Sequence, residues 1–269
     1  MGLLPGAEPF SHPGGATGVL LCHGFTGSPQ SLRPWAGFLA EAGLSVSLPL
    51  LPGHGTSWQE MNHTTSDDWL AAAETALAKL RSRCDEVFLM GLSMGGCLAL
   101  RLAEIAPGPD LRGLVLVNPS LAPDTRLFVV APLLKHVIKS MPAIGNDIKK
   151  PGSDELSYDR VPALAAASLP RLWKATARDL PQVSLPVLVY RSTEDHVVGP
   201  PSMRVLEAGL RPELLTVRAC HDSYHVATMD NDAQAIFTGS VQFVQEHSAG
   251  PRRAGLRGSV QEGRGEART

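Results

Sequence analysis

The chain has 269 residues, with 24 Lys+Arg against 26 Asp+Glu and a formal net charge of −2, which excludes a nucleic-acid-coating surface, because phosphate binding needs a basic excess. Apolar residues make up 43% and charged residues 19%, which excludes global disorder. Four cysteines (Cys22, Cys84, Cys97, Cys220) lie far apart with no C-x-x-C pair, which argues against a disulfide framework or zinc cluster and suits a reducing cytoplasm.

The start, MGLLPGAEPF, lacks the basic and long apolar regions of a signal peptide. A short apolar run, Val19-Leu20-Leu21-Cys22, reads as the first strand, and residues 29–42 read as a helix. Residues 44–50 read as a second strand. Thr65-Ser66-Asp67-Asp68 opens the next helix with capping-box character, and Leu70, Ala73, Leu77 and Leu80 mark one face of it. Residues 87–90 form a third predicted strand, 94–105 a helix and 114–117 a fourth strand. The alternation breaks between Pro119 and Pro186, a stretch far longer than the ~2–6 residues of an ordinary connection. It holds two helical candidates, 125–140 and 163–177, and reads as a cap inserted at about 120–185. Its longest uncharged apolar stretch, 127–134, falls well short of the ~18 residues of a membrane span. A strand at 186–190, a helix at 202–208, a strand at 214–217 and a helix at 233–246 complete the pattern. Strands apolar on both faces and separated by helices predict a mostly parallel α/β sheet covered on both sides. One domain is expected over residues 1–247. From Ser248 the chain carries five Arg, two Glu and five Gly, a composition that predicts a disordered tail.

Gly91-Leu92-Ser93-Met94-Gly95 lies between a predicted strand and a predicted helix. That is the setting in which G-x-S-x-G presents a nucleophilic serine, Ser93, above a sheet. A serine hydroxyl needs a base, and the base needs an orienting carboxylate. The strand at 186–190 runs into Glu194-Asp195-His196, where Asp195 is the preferred acid and spacing leaves its neighbour Glu194 open. The strand at 214–217 runs into His221-Asp222-Ser223-Tyr224-His225, where His225 is the candidate base. His221 and His225 are four apart, yet a metal pair at that spacing needs a helix and this segment reads as a loop. His54, in Pro52-Gly53-His54-Gly55, reads as a structural turn residue. Two oxyanion donors are expected: the backbone N–H of Met94, and that of Phe25 in the loop His23-Gly24-Phe25-Thr26-Gly27.

These segments, together with Pro52-Gly53-His54-Gly55 and Ser223-Tyr224-His225-Val226-Ala227-Thr228-Met229-Asp230, resemble the α/β-hydrolase superfamily over residues 18–246. Within it they look like small bacterial carboxylesterases and monoacylglycerol lipases. The resemblance implies an α/β-hydrolase fold, a Ser93–His225–Asp195 triad, oxyanion donors at Phe25 and Met94, ester hydrolysis and no cofactor; the small helical cap is read from the break in alternation, and the loop spacing of the histidines predicts no metal. Thioesterases, C–C bond hydrolases and acyltransferases share that frame, and a non-catalytic ligand receptor is the reading outside enzymes. The expected partner is a small ester with an apolar acyl chain, not nucleic acid, and no integral membrane segment is expected. The apolar run 127–134 with Val137, Ile138, Met141 and Ile144 is a candidate acyl-pocket wall, and Asp154, Glu155 and Ser157 are candidates to face a glycerol leaving group.

Overall fold

The computed structural model describes residues 2–123 and 139–249. Strands β1 (Phe10–His12), β2 (Thr17–Cys22), β3 (Ser45–Leu48), β4 (Glu86–Leu92) and β5 (Leu111–Val117) come first. A two-stranded hairpin, β6 (Ser140–Pro142) and β7 (Arg160–Pro162), follows, and then β8 (Val187–Ser192) and β9 (Leu215–Cys220). The main sheet has the order β1-β3-β2-β4-β5-β8-β9. It is parallel except for β1, which pairs antiparallel with β3. Among the described residues the α-helices are α1 (Arg33–Glu41), α2 (Trp58–Met61), α3 (Ser66–Arg81), α4 (Met94–Ile105), α5 (Ala163–Ala166), α6 (Leu169–Asp179), α7 (Pro200–Gly209) and α8 (Ala233–His247).

Every residue of the central strand β4 is buried, which explains why its sequence shows no polar alternation. On one face Leu20, Leu89 and Leu116 pack with Trp69, Leu77 and Leu98 from α3 and α4. On the other, Leu21, Phe88 and Val115 pack with Trp35 of α1 and Phe237 and Phe243 of α8. The sheet covered by helices on both sides is the α/β architecture that the sequence predicts. Thr65 caps α3 as expected, its N–H donating to the Asp68 carboxylate at 2.8 Å.

Several elements differ from the sequence expectation. The predicted helix 29–42 is a short 3-10 turn, Pro29–Leu32, followed by α1, because Pro34 fits only the first turn of the α-helix. The predicted helix 163–177 is divided into α5 and α6, with Pro170 starting the second segment. Strand β1 and the β6–β7 hairpin were not anticipated. Most of the predicted helix 125–140, including the apolar run 127–134, Val137 and Ile138, lies outside the described residues; Ser140 belongs to a strand. Of the expected tail only Ser248 and Ala249 are described, and the Ala249 N–H donates to the buried Glu86 at 3.0 Å.

A buried ionic cluster joins α4 to α6. Arg101 Nη1 lies 2.8 Å from Glu104 and 2.6 Å from Asp179, while the other Glu104 oxygen is buried without a hydrogen-bond partner. Burial pushes the Glu104 carboxyl up to about 7, against the opposing pull of Arg101. A raised folded-state pKa means that this contribution to stability is complete below the ordinary carboxylate value and is lost as pH rises through about 7. Melting curves between pH 5 and pH 8 should therefore show Glu104→Gln gaining on the parent protein as pH rises. Parallel curves would refute the assignment.

Candidate active site

The serine turn is built where β4 enters α4. Ser93 has φ 56° and ψ −121°, a conformation that L-residues rarely adopt and that costs ~1–3 kcal/mol. The two flanking glycines are required by close approach. A Cβ on Gly91 would stand 2.3 Å from the Gly95 carbonyl oxygen, and one on Gly95 would stand 1.9 Å from that of Cys22. The turn is pinned to the end of β5, since Ser93 N–H donates to Val117 O at 2.9 Å and Ser120 N–H to Ser93 O at 3.1 Å. Ser93 thus stands at the N-terminus of a 12-residue helix, where the dipole favours developing negative charge.

The loop after β2 runs beside it. A Cβ on Gly24 would sit 3.5 Å from Ser93 Cβ, so this backbone lies in contact with the serine. His23 is fully buried, and burial pushes it down to about 4. Its Nε2 accepts from Leu51 N–H at 3.2 Å, so Nδ1 carries the proton and faces Gly24 O at 3.0 Å. His54 packs edge-on against His23 at 4.9 Å, and burial, then the neighbouring His23, hold it well below the usual range. That is the structural place expected for His54. Phe25 packs edge-on against Trp69.

Asp195 follows β8, and His225 follows β9. His225 Nδ1 lies 3.1 Å from the Asp195 carboxylate. That side chain is entirely buried, and it also accepts from Val197 N–H at 2.9 Å, Val198 N–H at 2.8 Å and Arg191 Nη1 at 2.6 Å. Burial opposes its charge, but His225, the Val198 N–H and Arg191 together outweigh it and hold the carboxyl below its usual range. With Nδ1 donating to an anion, Nε2 is the nitrogen left to take a proton. Glu194 is exposed instead and reaches His196 Nε2 at 3.5 Å. His221 is exposed, and among the described residues no group of three or more His, Cys, Asp or Glu side chains is arranged to hold a metal.

Sequence reasoning missed three residues around this pair. Arg191, at the end of β8, neutralises Asp195. Asn118, at φ 43°, accepts from Ser192 N–H at 2.8 Å and donates to His225 O at 2.8 Å. Asp230 accepts from Tyr224 N–H at 2.9 Å. The only sequence signals were an Asn-Pro step after a strand and an aspartate five residues past His225.

Ser93, Met94, Phe25 and His225 line one cavity of about 210 Å³. Its apolar wall includes Val161, Leu169 and Trp173, and Ile144 lies on it although 63% exposed. Glu155 and Ser157 line the cavity as well, and burial raises the Glu155 carboxyl despite the opposing charge of His225. Asp154 does not line it; it is exposed and accepts from Asn146.

A family model described as serine aminopeptidase, S33, matches residues 16–232. The chain is 39% identical over 251 residues to a thermostable monoacylglycerol lipase of Bacillus sp. strain H-257, covering 91% of this chain and 97% of that one. It is 22% identical to a carboxylesterase of Bacillus subtilis strain 168, covering 89% and 96%. A solved structure from work on the metagenome-derived lipolytic enzymes LipS and LipT superposes with a TM-score of 0.88 at 38% identity, covering 91% of this chain and all of that one.

Proposed function

The chain belongs to the serine aminopeptidase S33 family of the α/β-hydrolase superfamily, and from that premise we propose that it is a serine hydrolase of carboxylic esters, with monoacylglycerols as the favoured substrate class. The observation that carries this reading is His225 Nδ1 at 3.1 Å from the buried Asp195, with His225 and Ser93 on the same apolar-walled cavity. Ser93 Oγ attacks the ester carbonyl as His225 Nε2 takes its proton. The N–H groups of Phe25 and Met94 receive the oxyanion, each donor being worth ~3–4 kcal/mol in the transition state. Asp195 orients the imidazole and stabilises its cation. His225 returns the proton to the departing alcohol, and water then cleaves the acyl-enzyme by the same route. This cycle uses no cofactor.

The monoacylglycerol lipase relative supports the choice of substrate. So does the cavity, whose volume of about 210 Å³ falls below the ~300–1,000 Å³ of most small-molecule pockets and suits one slender chain. Val161, Leu169 and Trp173 are suited to the acyl group. Glu155 and Ser157 are suited to the glycerol hydroxyls, since both line the same cavity and offer oxygen acceptors, with the Ser157 hydroxyl also a donor. The proposed organisation is one hydrolase domain over residues 1–247 with the cap at about 120–185. The proposed compartment is the cytoplasm, in keeping with four free, buried cysteines. No helix among the described residues is long and apolar enough to cross a membrane.

Kinetics on p-nitrophenyl esters from acetate to palmitate, alongside monoacylglycerols, test the reading. Each buried methylene contributes ~0.8 kcal/mol, so kcat/KM should rise about fourfold per CH₂ at first and fall once the cavity is full. A steady decline from acetate upwards would overturn the acyl pocket. Faster turnover of matched thioesters would reassign the reaction.

A further inference from the structure

We propose that Asp147, from the segment between β5 and β8, is a positioning residue that locks the loops carrying His225 and Asp195 to each other. The proposal rests on the assignment of His225 as the base and Asp195 as its acid.

The two loops leave the sheet from different strands, and each exposes backbone N–H groups that no strand or helix satisfies. Asp147 satisfies them from outside. Its Oδ2 accepts from His225 N–H at 3.1 Å and from His196 N–H at 3.2 Å, while Oδ1 faces His196 Nδ1 at 2.7 Å. The Asp147 carbonyl accepts from Val226 N–H at 3.1 Å. One residue therefore holds two successive amides of the base loop and the amide next to Asp195. Its side chain is only 9% exposed, so these bonds form where an unpaired N–H would be costly.

Asp147 is itself fixed on both sides. Asn146, at φ 50°, precedes it and accepts from Glu155 N–H at 2.8 Å. After it, Lys149 N–H and Lys150 N–H donate to Asp230 at 2.7 and 2.9 Å, and Asp230 also holds Tyr224 N–H in the base loop. The contact is thus one link of a double staple between residues 146–150 and residues 224–230. Misplacing a catalytic group by 1 Å can cost ~10²-fold in rate, so losing this link falls on kcat.

The requirement is for an acceptor rather than a charge. In Asp147→Asn the amide oxygen can occupy the Oδ2 position and accept both backbone N–H groups. The amide nitrogen then donates to His196 Nδ1, whose ring takes the other tautomer.

Steady-state kinetics on one medium-chain ester decide it, comparing Asp147→Ala, Asp147→Asn and the parent protein, with His225→Ala as the control. The expected result is a kcat at least about tenfold lower in Asp147→Ala, a KM within about twofold of the parent, and recovery to within about threefold in Asp147→Asn. A parental kcat in Asp147→Ala, a loss confined to KM, or equal losses in both variants would overturn the proposal. Should Asp147→Ala fail to fold, Asp147→Ser, whose shorter side chain does not span both loops, carries the same comparison. Full turnover in His225→Ala would instead overturn the assignment of the base on which the proposal rests.

Discussion

Ser93→Ala is expected to reduce ester turnover by about 10⁴-fold or more, the scale of loss when a serine nucleophile is removed from an assembled site. Its melting temperature should stay within about 2 °C of the parent protein. The first expectation follows from the proposed role of Ser93 Oγ as the attacking atom. The second follows from geometry. Alanine keeps the Cβ, so the strain of φ 56° is unchanged, and the backbone bonds to Val117 and Ser120 are untouched. The Ser93 hydroxyl is not what holds the turn; the missing side chains of Gly91 and Gly95 are. A fluorophosphonate probe should label the parent protein and leave the variant unlabelled. Substantial turnover by a well-folded Ser93→Ala protein would remove Ser93 from the mechanism.

Asp195→Asn is expected to lower kcat by about 10⁴-fold, because an amide facing Nδ1 favours the wrong imidazole tautomer and no longer stabilises the cation. Here stability falls as well. Asp195 is entirely buried and receives Arg191, Val197 N–H and Val198 N–H in addition to His225. Removing its charge leaves the Arg191 guanidinium, only 17% exposed, without its anion, and breaking a buried pair is costly. Activity must therefore be measured well below the lowered melting temperature. Glu194→Gln provides the internal comparison, since its side chain is 58% exposed and contacts His196 at 3.5 Å. It should change kcat by less than about twofold, as exposed ion pairs contribute ~0–1 kcal/mol. A large loss in Glu194→Gln with a small one in Asp195→Asn would move the acid by one position.

Part of this organisation was written locally in the chain. The strand–turn–helix around Ser93 depends on residues within a few positions of it: the apolar run at residues 87–90, two glycines and a helix-forming segment from Met94. The alternation of apolar runs with helical patterns predicted the parallel sheet for the same reason, because burial on both faces dictates composition strand by strand. The loops carrying Asp195 and His225 were legible as the segments that follow two such strands.

The remainder depends on contacts between distant residues. Edge strand β1 has three residues, too few to announce themselves before β3 is in place to pair with them. The β6–β7 hairpin joins residues about 20 apart across a segment with no turn signature at that scale. Asn118 meets His225 across 107 positions and Asp147 meets it across 78, distances over which sequence spacing carries no directional information. The sequence alone therefore determined the scaffold and the chemical groups it carries, because local propensity and burial fix strands, helices and the serine turn. Only the tertiary structure decided which buried polar groups hold Asp195 and His225 in register, because a lone N–H or carboxylate finds its partner only after the sheet and the segment above it have closed around both.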